Sequence, residues 1–260
     1  MKDYTSLVIK NTQIAHETYQ ITFQLSEPLP PIVPGQFVNV QLENKARILR
    51  RPLGIADYSI ADNTFSLIYR IRGAGTEELS QTPAGTILNV LMPLGNGFDE
   101  ITDDVKRIMF IGGGTGGAVF PTLPTTFADK EIHCYQGYAT KHFDFISPQA
   151  NRIKSLVITT DDGSLGEKGN IVQKALADIP KINPDIIVCC GPDIVYKLLK
   201  KGLPKNAPPT YISLEGQMCC GFGACFVCAC KINLAGKTHT LRVCKAGPVF
   251  DINDWQENWE

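Results

Sequence analysis

The 260-residue sequence lacks any apolar run near the roughly 18 residues a membrane-spanning helix needs. Its first residues, MKDYTSLVIKNTQIAHETY, are polar and strand-like, with no apolar core of the kind a secretory signal carries. Charge of one sign is also missing. Lys+Arg 25 against Asp+Glu 26 leave a net charge of −1, which argues against a nucleic-acid partner or an acidic lipid surface. There are only four histidines, none in H-x-x-H spacing, and no Ser/His/Asp set or paired-carboxylate site stands out. Neither an internal repeat nor a low-complexity tract is present. A cytoplasmic protein is therefore expected, in a compartment where disulfides are disfavoured. Hydrophobic residues are 43% and charged residues 20%, ordinary for a globular chain. The length is ample for a sizeable core and suggests one large domain or a few smaller ones.

Cysteine, by contrast, is abundant and clustered. Six of the nine fall between Cys219 and Cys244, most of them in CCGFGACFVCAC. Clustered thiols in a reducing compartment are more often metal or redox ligands than staples. The spacing Cys220-x4-Cys225-x2-Cys228, with Cys244 further on, is the plant-type pattern for a 2Fe-2S cluster. A compact two-iron core needs thiolates converging from several sides, which a tight loop can supply. Gly221 and Gly223 can take positive φ and let backbone amides turn toward sulfur. Cys219 and Cys230 are then surplus and are read as buried, packing residues. A zinc site remains an alternative, although zinc usually shows two C-x2-C knuckles and only one occurs here. Plain thiols or disulfides are another.

The rest of the chain changes texture along its length. Residues 1–99 carry short runs rich in Val, Ile, Thr and aromatics (TYQITFQL, GQFVNVQL, TFSLIYRI) separated by Pro and Gly punctuation. That predicts a small antiparallel β-barrel. Residues 100–209 alternate buried runs ending in polar or Gly-rich residues (VKRIMFIGGG, KEIHCYQGY, SLVITTDDG, PDIIVCCGP) with helical spacing in IVQKALADI and DIVYKLLKKG. That predicts a parallel α/β domain. KKGLPKNAPPT reads as a linker, and residues 210–260 form the cysteine domain. The predicted class is a multi-domain α+β chain.

Several motifs carry chemistry. RRPLGIADYS reads as a segment after a strand, where the Arg51 guanidinium could form a bidentate pair with phosphate. Pro52 stiffens the approach and Gly54 admits a flat ligand. In IYRIRGAGTEELS, Tyr69 and Arg70 lead to a Gly-rich turn opening a helix, with Thr76 read as its N-cap. FIGGGTGG follows a buried strand, as a dinucleotide loop should. Pro121 and Pro124 then sit where the phosphate-binding helix belongs, so that helix is expected to be short, displaced or kinked. In VCCGPD, Cys190 lies at a strand exit where α/β folds bind ligands, and Cys189 faces the core. Asp161 and Asp162 in TTDDGSLGEKG read as a solvated turn rather than a metal loop.

The order of these parts resembles the ferredoxin-reductase-like flavoproteins. More closely, RRPLGIA, YRIRGAGTEELS, VLMPLGNGF, GGGTGG, TTDDGSLGEKG, CGP, MCCGFGACFVCAC and VCKAGPVFD resemble the electron-transfer subunits of class 1B dihydroorotate dehydrogenase. The resemblance implies FAD, a 2Fe-2S cluster and NAD. It implies electrons arriving from an FMN-containing dihydroorotate dehydrogenase catalytic subunit, in a heterotetramer of two copies of each, with no nucleic acid and no membrane involved. Carried over by position, Arg51, Pro52, Leu53, Gly54, Ile68, Tyr69, Arg70, Gly75 and Thr76 would contact FAD. Gly112, Gly113, Gly114 and Gly116 with Cys190, Gly191 and Pro192 would form the NAD site. Cys220, Cys225, Cys228 and Cys244 would ligate the cluster. The sequence departs from the family in having Gly54 where serine is usual, and in lacking an earlier proline after the glycine loop. Related circuits imply alternatives: a subunit of an NADH-dependent ferredoxin:NADP oxidoreductase or sulfhydrogenase, or a redox relay that no longer binds NAD.

Overall fold

A computed structural model describes residues 1–44 and 46–257. Six strands close a barrel in the order β1-β2-β5-β4-β3-β6: β1 Lys2–Ala15, β2 Thr18–Leu25, β3 Phe37–Val40, β4 Arg51–Ser59, β5 Thr64–Arg70 and β6 Ile87–Leu94. All neighbours are antiparallel. Alternation puts Val8, Ile21, Phe23, Val38, Val40, Phe65 and Leu67 inside, all fully buried. Phe23 and Phe65 are direct cross-strand partners with ring centroids 5.1 Å apart. A short helix, α1 (Ala74–Ser80), contributes Leu79 to this core.

The segment Arg51-Pro52-Leu53-Gly54 is not a loop after a strand. It is the first half of β4 and pairs with β3 from Phe37↔Gly54 to Val40↔Arg51. Its Pro and Gly mask a strand that the barrel imposes. Thr76 is likewise not the N-cap of α1, whose cap is Gly73. Thr76 lies one turn in, and its Oγ1 reaches back to accept from the amides of Arg72 (2.8 Å) and Gly73 (3.3 Å).

The second sheet has seven strands. It is built from β7 Arg107–Gly113, a 3-10 segment Gly114–Thr122, α2 Leu123–Thr126, β8 Glu131–Tyr138, β9 Ser155–Thr160, β10 Glu167–Lys168, α3 Ile171–Ile182, β11 Ile186–Cys190, α4 Asp193–Gly202 and β12 Thr210–Ser213. With a C-terminal strand β15 (Val249–Asp251) at one edge, the strand order is β10-β9-β8-β7-β11-β12-β15, parallel except at the last pair. From β7 the chain runs outward to β8 and β9, then crosses to β11 and β12. The order therefore reverses between β7 and β11, the place where open α/β sheets bind ligands. Helices α3 and α4 cover one face, with Val172, Ala175, Ile179, Tyr196 and Leu199 buried there. The other face carries Phe120, Leu123 and Phe127.

The expected disruption after the glycine loop is present. Pro121 lies inside the 3-10 segment, and only four α-helical residues follow. The segment leans on the barrel: Tyr58 of β4 and Thr126 place their hydroxyls 3.3 Å apart.

The cysteine segment contains a hairpin, β13 Ala229–Leu234 with β14 Lys237–Arg242, then α5 Val243–Ala246 and β15 Val249–Asp251. β15 returns to pair antiparallel with β12. The stretch from Thr210 onward thus begins and ends in the α/β sheet. Asn96, just past β6, locks the return by accepting from Val249 N through Oδ1 (3.2 Å) and donating to Val249 O through Nδ2 (3.2 Å).

Candidate functional site

A cleft of about 650 Å3 runs along the seam between barrel and sheet. Its barrel wall is Pro52 to Ile55 and Ile68 to Arg70, with Thr76 at one end. The opposite wall is Thr115, Gly116, Ala118 and Val119, then Cys190 and Gly191, then Ser213 to Met218. Next to the lining residues Pro52 and Thr76, Arg51 and Gly75 meet, 24 positions apart in sequence. A Cβ at residue 75 would overlap Arg51 Nε and lie 2.7 Å from its Cζ, so only glycine lets the guanidinium lie across the start of α1.

Two buried donors are left over. Arg51 Nε and Arg70 Nε have no hydrogen-bond partner. Arg70 Nη2 donates to Glu17 (3.0 Å), and its guanidinium lies 4.0 Å over the Phe143 ring, which fixes its plane. An unsatisfied buried N–H is costly, so a pair of them flanking a cleft fits an anionic group such as a diphosphate. Tyr69 contributes backbone rather than ring. Its hydroxyl turns into the barrel toward Asn11 Oδ1 (3.3 Å), and burial pushes its pKa up. Ile68 faces the seam. Gly54 borders the cleft with open space where a Cβ would stand.

The glycine loop and the CGP turn meet at the topological switch. A Cβ on Gly116 would overlap the Cys190 carbonyl oxygen, and one on Gly113 would lie 2.8 Å from Val195 and 3.4 Å from Pro192. Gly114 takes φ 57. A second cavity of about 280 Å3 opens beside them over the ends of β7, β8 and β9. Arg70, Arg72 and Thr115 line both cavities, so the two are neighbours.

One residue that the sequence reading passed over organises this loop. Gln136, fully buried in β8, donates from Nε2 to Gly114 O (2.8 Å), and its Oε1 fills the space that Cβ atoms on Gly112 and Gly117 would need. A polar residue inside the buried run of KEIHCYQGY was the available signal. The half-buried Cys190 thiol is pushed up to about 12 by burial, so it stays protonated. Cys189 is in the core. Tyr196 ties the turn to β12, accepting from Gly191 N (2.9 Å) and donating to Ser213 O.

In the cysteine segment the thiols gather in two groups. Cys228 and Cys244 are buried with their sulfurs 3.2 Å apart, and the Cys244 amide donates to Cys228 Sγ (3.4 Å). Cys220 is partly buried and Cys225 exposed. Burial tends to raise the Cys220 thiol. It is outweighed by the amides of Cys225, Phe222 and Ala224 and by the Cys225 thiol, leaving it lowered to about 6. The Ala224 amide lies 3.3 Å from its sulfur. Burial pushes Cys244 up to about 12, with Cys228 and then Cys220 adding repulsion. Among the described residues no three His, Cys, Asp or Glu side chains converge on a point that would hold one metal ion. A buried Cys228–Cys244 pair apart from the Cys219, Cys220 and Cys225 group suits a two-iron core, with two thiolates per iron, better than a single zinc.

Gly221 (φ 76) and Gly223 (φ 91) take the expected left-handed conformation. Arg242 binds the Gly223 carbonyl and stacks 4.3 Å over Phe226. Cys230 is buried beside Ile232, as a packing residue should be. Cys219 departs from expectation. It is only partly buried, with its thiol on Cys225 rather than in the apolar core. Asp161 and Asp162 lie in a turn where Asp162 Oδ1 accepts from Ser164 N (2.9 Å), consistent with a solvated turn.

This arrangement has counterparts. The model of the iron-sulfur cluster binding domain of dihydroorotate dehydrogenase B matches residues 215–256. The dihydroorotate dehydrogenase B (NAD(+)) electron transfer subunit of Streptococcus mutans is 32% identical over 247 residues, covering 94% of each chain. That of Listeria monocytogenes serotype 4b is 35% identical over 251 residues, 95% of this chain and 96% of its own. The chain belongs to this family of electron transfer subunits. The solved structure of an NADH-dependent reduced ferredoxin-NADP oxidoreductase aligns with TM-score 0.82 and 27% identity, covering 96% of this chain and 89% of that one. A ferredoxin NADP+ reductase from Neisseria gonorrhoeae shares the fold, with TM-score 0.64 at 12% identity over 77% of this chain and 89% of that one. An electron-transfer role places the weight on cofactor positioning rather than acid–base groups.

Arg51 offers a first test of the cleft. Arg51→Ala removes the guanidinium over Gly75, and flavin retained after gel filtration is expected to fall about tenfold, the size of one charge-assisted contact. Flavin content measured at wild-type level would remove Arg51 from the site.

Proposed function

We propose that the chain carries electrons between a 2Fe-2S cluster at Cys220, Cys225, Cys228 and Cys244 and FAD in the 650 Å3 cleft, and onward to NAD at the glycine loop. Its electrons come from an FMN-containing, dihydroorotate-oxidising catalytic subunit in the cytoplasm, in an assembly of two copies of each. The observation that carries this reading is a shared wall. Ser213 to Met218, which lead directly into Cys219 and Cys220, line the same cleft as Pro52 to Ile55 of β4. A group bound in the cleft therefore lies next to the cluster loop. FAD held there would supply the conversion between the two electrons of a hydride and the single electrons of a 2Fe-2S cluster.

The residues divide the work. Arg51 and Arg70 hold negative charge at the cleft, with Gly75 and Thr76 shaping the turn beneath it. Gly112, Gly113, Gly114 and Gly116 bring backbone close to Cys190, Gly191 and Pro192, leaving a shallow place for a dinucleotide. We divide the chain accordingly into a flavin barrel (1–99), a nucleotide domain (100–209) and a cluster segment (210–260) whose ends are anchored in the nucleotide sheet. Phe222, Phe226 and Val227 are exposed around Cys225, an apolar rim that suits a protein partner at the cluster end. No described helix is long and apolar enough to cross a membrane.

The structural match to an NADH-dependent reduced ferredoxin-NADP oxidoreductase favours a second circuit, in which the partner supplies or takes electrons without dihydroorotate. One experiment addresses the nucleotide end in either case. Anaerobic titration with NADH, up to the order of 1 mM, is expected to bleach the flavin absorbance of the purified yellow-brown protein. A flavin that stays oxidised would leave a relay without NAD. Dihydroorotate-dependent reduction after co-purification with the catalytic subunit separates the first circuit from the second.

A further inference from the structure

Asn39 sits in β3, within the strand run GQFVNVQL but outside every site motif named so far. β3 is buried on both sides. Val38 and Val40 enter the barrel core, while Phe37 faces outward into the core that holds Cys228 and Cys244. Asn39 alternates with Val38 and Val40 and so shares the outward face with Phe37. Only 1% of it is exposed, yet it is an amide among apolar neighbours. Its Nδ2 donates to the carbonyl of Cys220, 181 positions away, at 3.1 Å. Its Oδ1 is buried with no partner.

The orientation is forced, since turning the amide over would set oxygen against the Cys220 oxygen. A buried acceptor left unpaired is a standing cost, and here it accompanies a single contact to the cluster loop. The loop is shaped to receive that contact. Gly221 takes φ 76, and a Cβ there would overlap Asn39 Nδ2. Directly across β3–β4 from Asn39 is Pro52, on the flavin strand.

We infer that Asn39 is a positioning residue that pins the Cys220 limb of the cluster loop to the flavin barrel. This rests on the cluster reading above. In a trans peptide the carbonyl and the following N–H point opposite ways. Holding the Cys220 carbonyl against the barrel therefore aims the Gly221 N–H away from it. The same restraint fixes the start of the turn whose amides gather at Cys220 Sγ. Amide hydrogen bonds to a ligand sulfur raise a cluster's reduction potential. Asn39 thus acts on the cluster through the loop, without touching it.

The test uses full-length Asn39→Leu and Asn39→Asp, the second isosteric and unable to donate once ionised, with Gly221→Ala as a probe from the loop side. Hydrogen exchange of the amides from Gly221 to Phe226, measured on protein freed of iron, is expected to quicken about tenfold in each variant, as for loss of one hydrogen bond to a buried carbonyl. After reconstitution the cluster midpoint potential, followed by electron paramagnetic resonance, is expected to shift to more negative values while flavin content stays unchanged. Wild-type exchange rates and potential in a folded Asn39 variant would overturn the inference. If both Asn39 variants fail to fold, the same null result in Gly221→Ala would overturn it equally. Exchange on the iron-free protein reads the tether alone. Absence of iron-sulfur absorbance from reconstituted wild-type protein would instead defeat the cluster reading.

Discussion

Cys228→Ser is expected to abolish the iron-sulfur absorbance and leave iron near zero, while Cys230→Ser keeps both. The two residues are two positions apart and equally buried, so burial cannot separate them. Their neighbours do. Cys228 precedes β13, with its sulfur 3.2 Å from Cys244 Sγ and its carbonyl accepting from Val243 N at 2.9 Å. Cys230 stands inside β13, paired with Leu241 and packed beside Ile232. A serine hydroxyl at 228 titrates far above a thiol and is a harder, poorer ligand for iron, so the core loses one corner. At 230 the same change buries a hydroxyl in apolar surroundings, about 1–3 kcal/mol of stability without a ligand lost. Cys225→Ser should follow Cys228→Ser, and Cys219→Ser should follow Cys230→Ser. Visible absorbance and iron per chain decide it. Loss of the cluster in Cys230→Ser would show that the ligand set is wrong.

Much of the fold was legible because its strongest elements obey local rules. TYQITFQL is β2 over its full length, and helical spacing located α3 and α4. The misreadings have physical causes. Pro52 and Gly54 are turn residues by local preference, and only closure of the barrel makes Arg51–Ser59 a strand. β12 and β15, of four and three residues, are too short to show a period, and their pairing spans the whole cluster segment. Thr76 looked like a cap because hydroxyls favour that place. The backbone instead opens the helix earlier, at Gly73, and uses the hydroxyl from inside.

The candidate site divides the same way. Ligand spacing in the cysteine segment is a local property, so four candidate positions follow from sequence. Asn39 and Gln136 act on loops brought to them by the fold; a polar residue in a buried run marks each position, but VNVQL and YQGY do not say which loop it meets. Cys219 shows the converse. Its neighbour Cys220 is amide-bonded through its sulfur, whereas Cys219 lies against Cys225 at the surface. Counting could set it aside as a ligand but could not place it.

Gly116→Ala is expected to stop flavin reduction by NADH while leaving bound flavin and cluster in place. Where a helix after the first strand would normally hold the loop, Pro121 leaves a 3-10 segment, and the loop is held instead by close backbone approach. A Cβ on Gly116 would overlap the Cys190 carbonyl and come within 2.9 Å of Gly191 N. Both obstacles are backbone, so neither can swing aside as a flexible side chain would. Either the glycine loop or the CGP turn must move, at an overpacking cost of about 1–3 kcal/mol. A displacement near 1 Å at a reacting geometry lowers rate about 100-fold. Gly114 is the internal comparison. A Cβ there meets nothing within 4 Å, and only its φ of 57 opposes a side chain. Gly114→Ala should therefore cost about 1 kcal/mol and keep most of the rate. Stopped-flow reduction of the two variants separates steric contact from backbone strain. Equal rates in both would show that the approach of Gly116 to Cys190 does not hold the nucleotide loop in place.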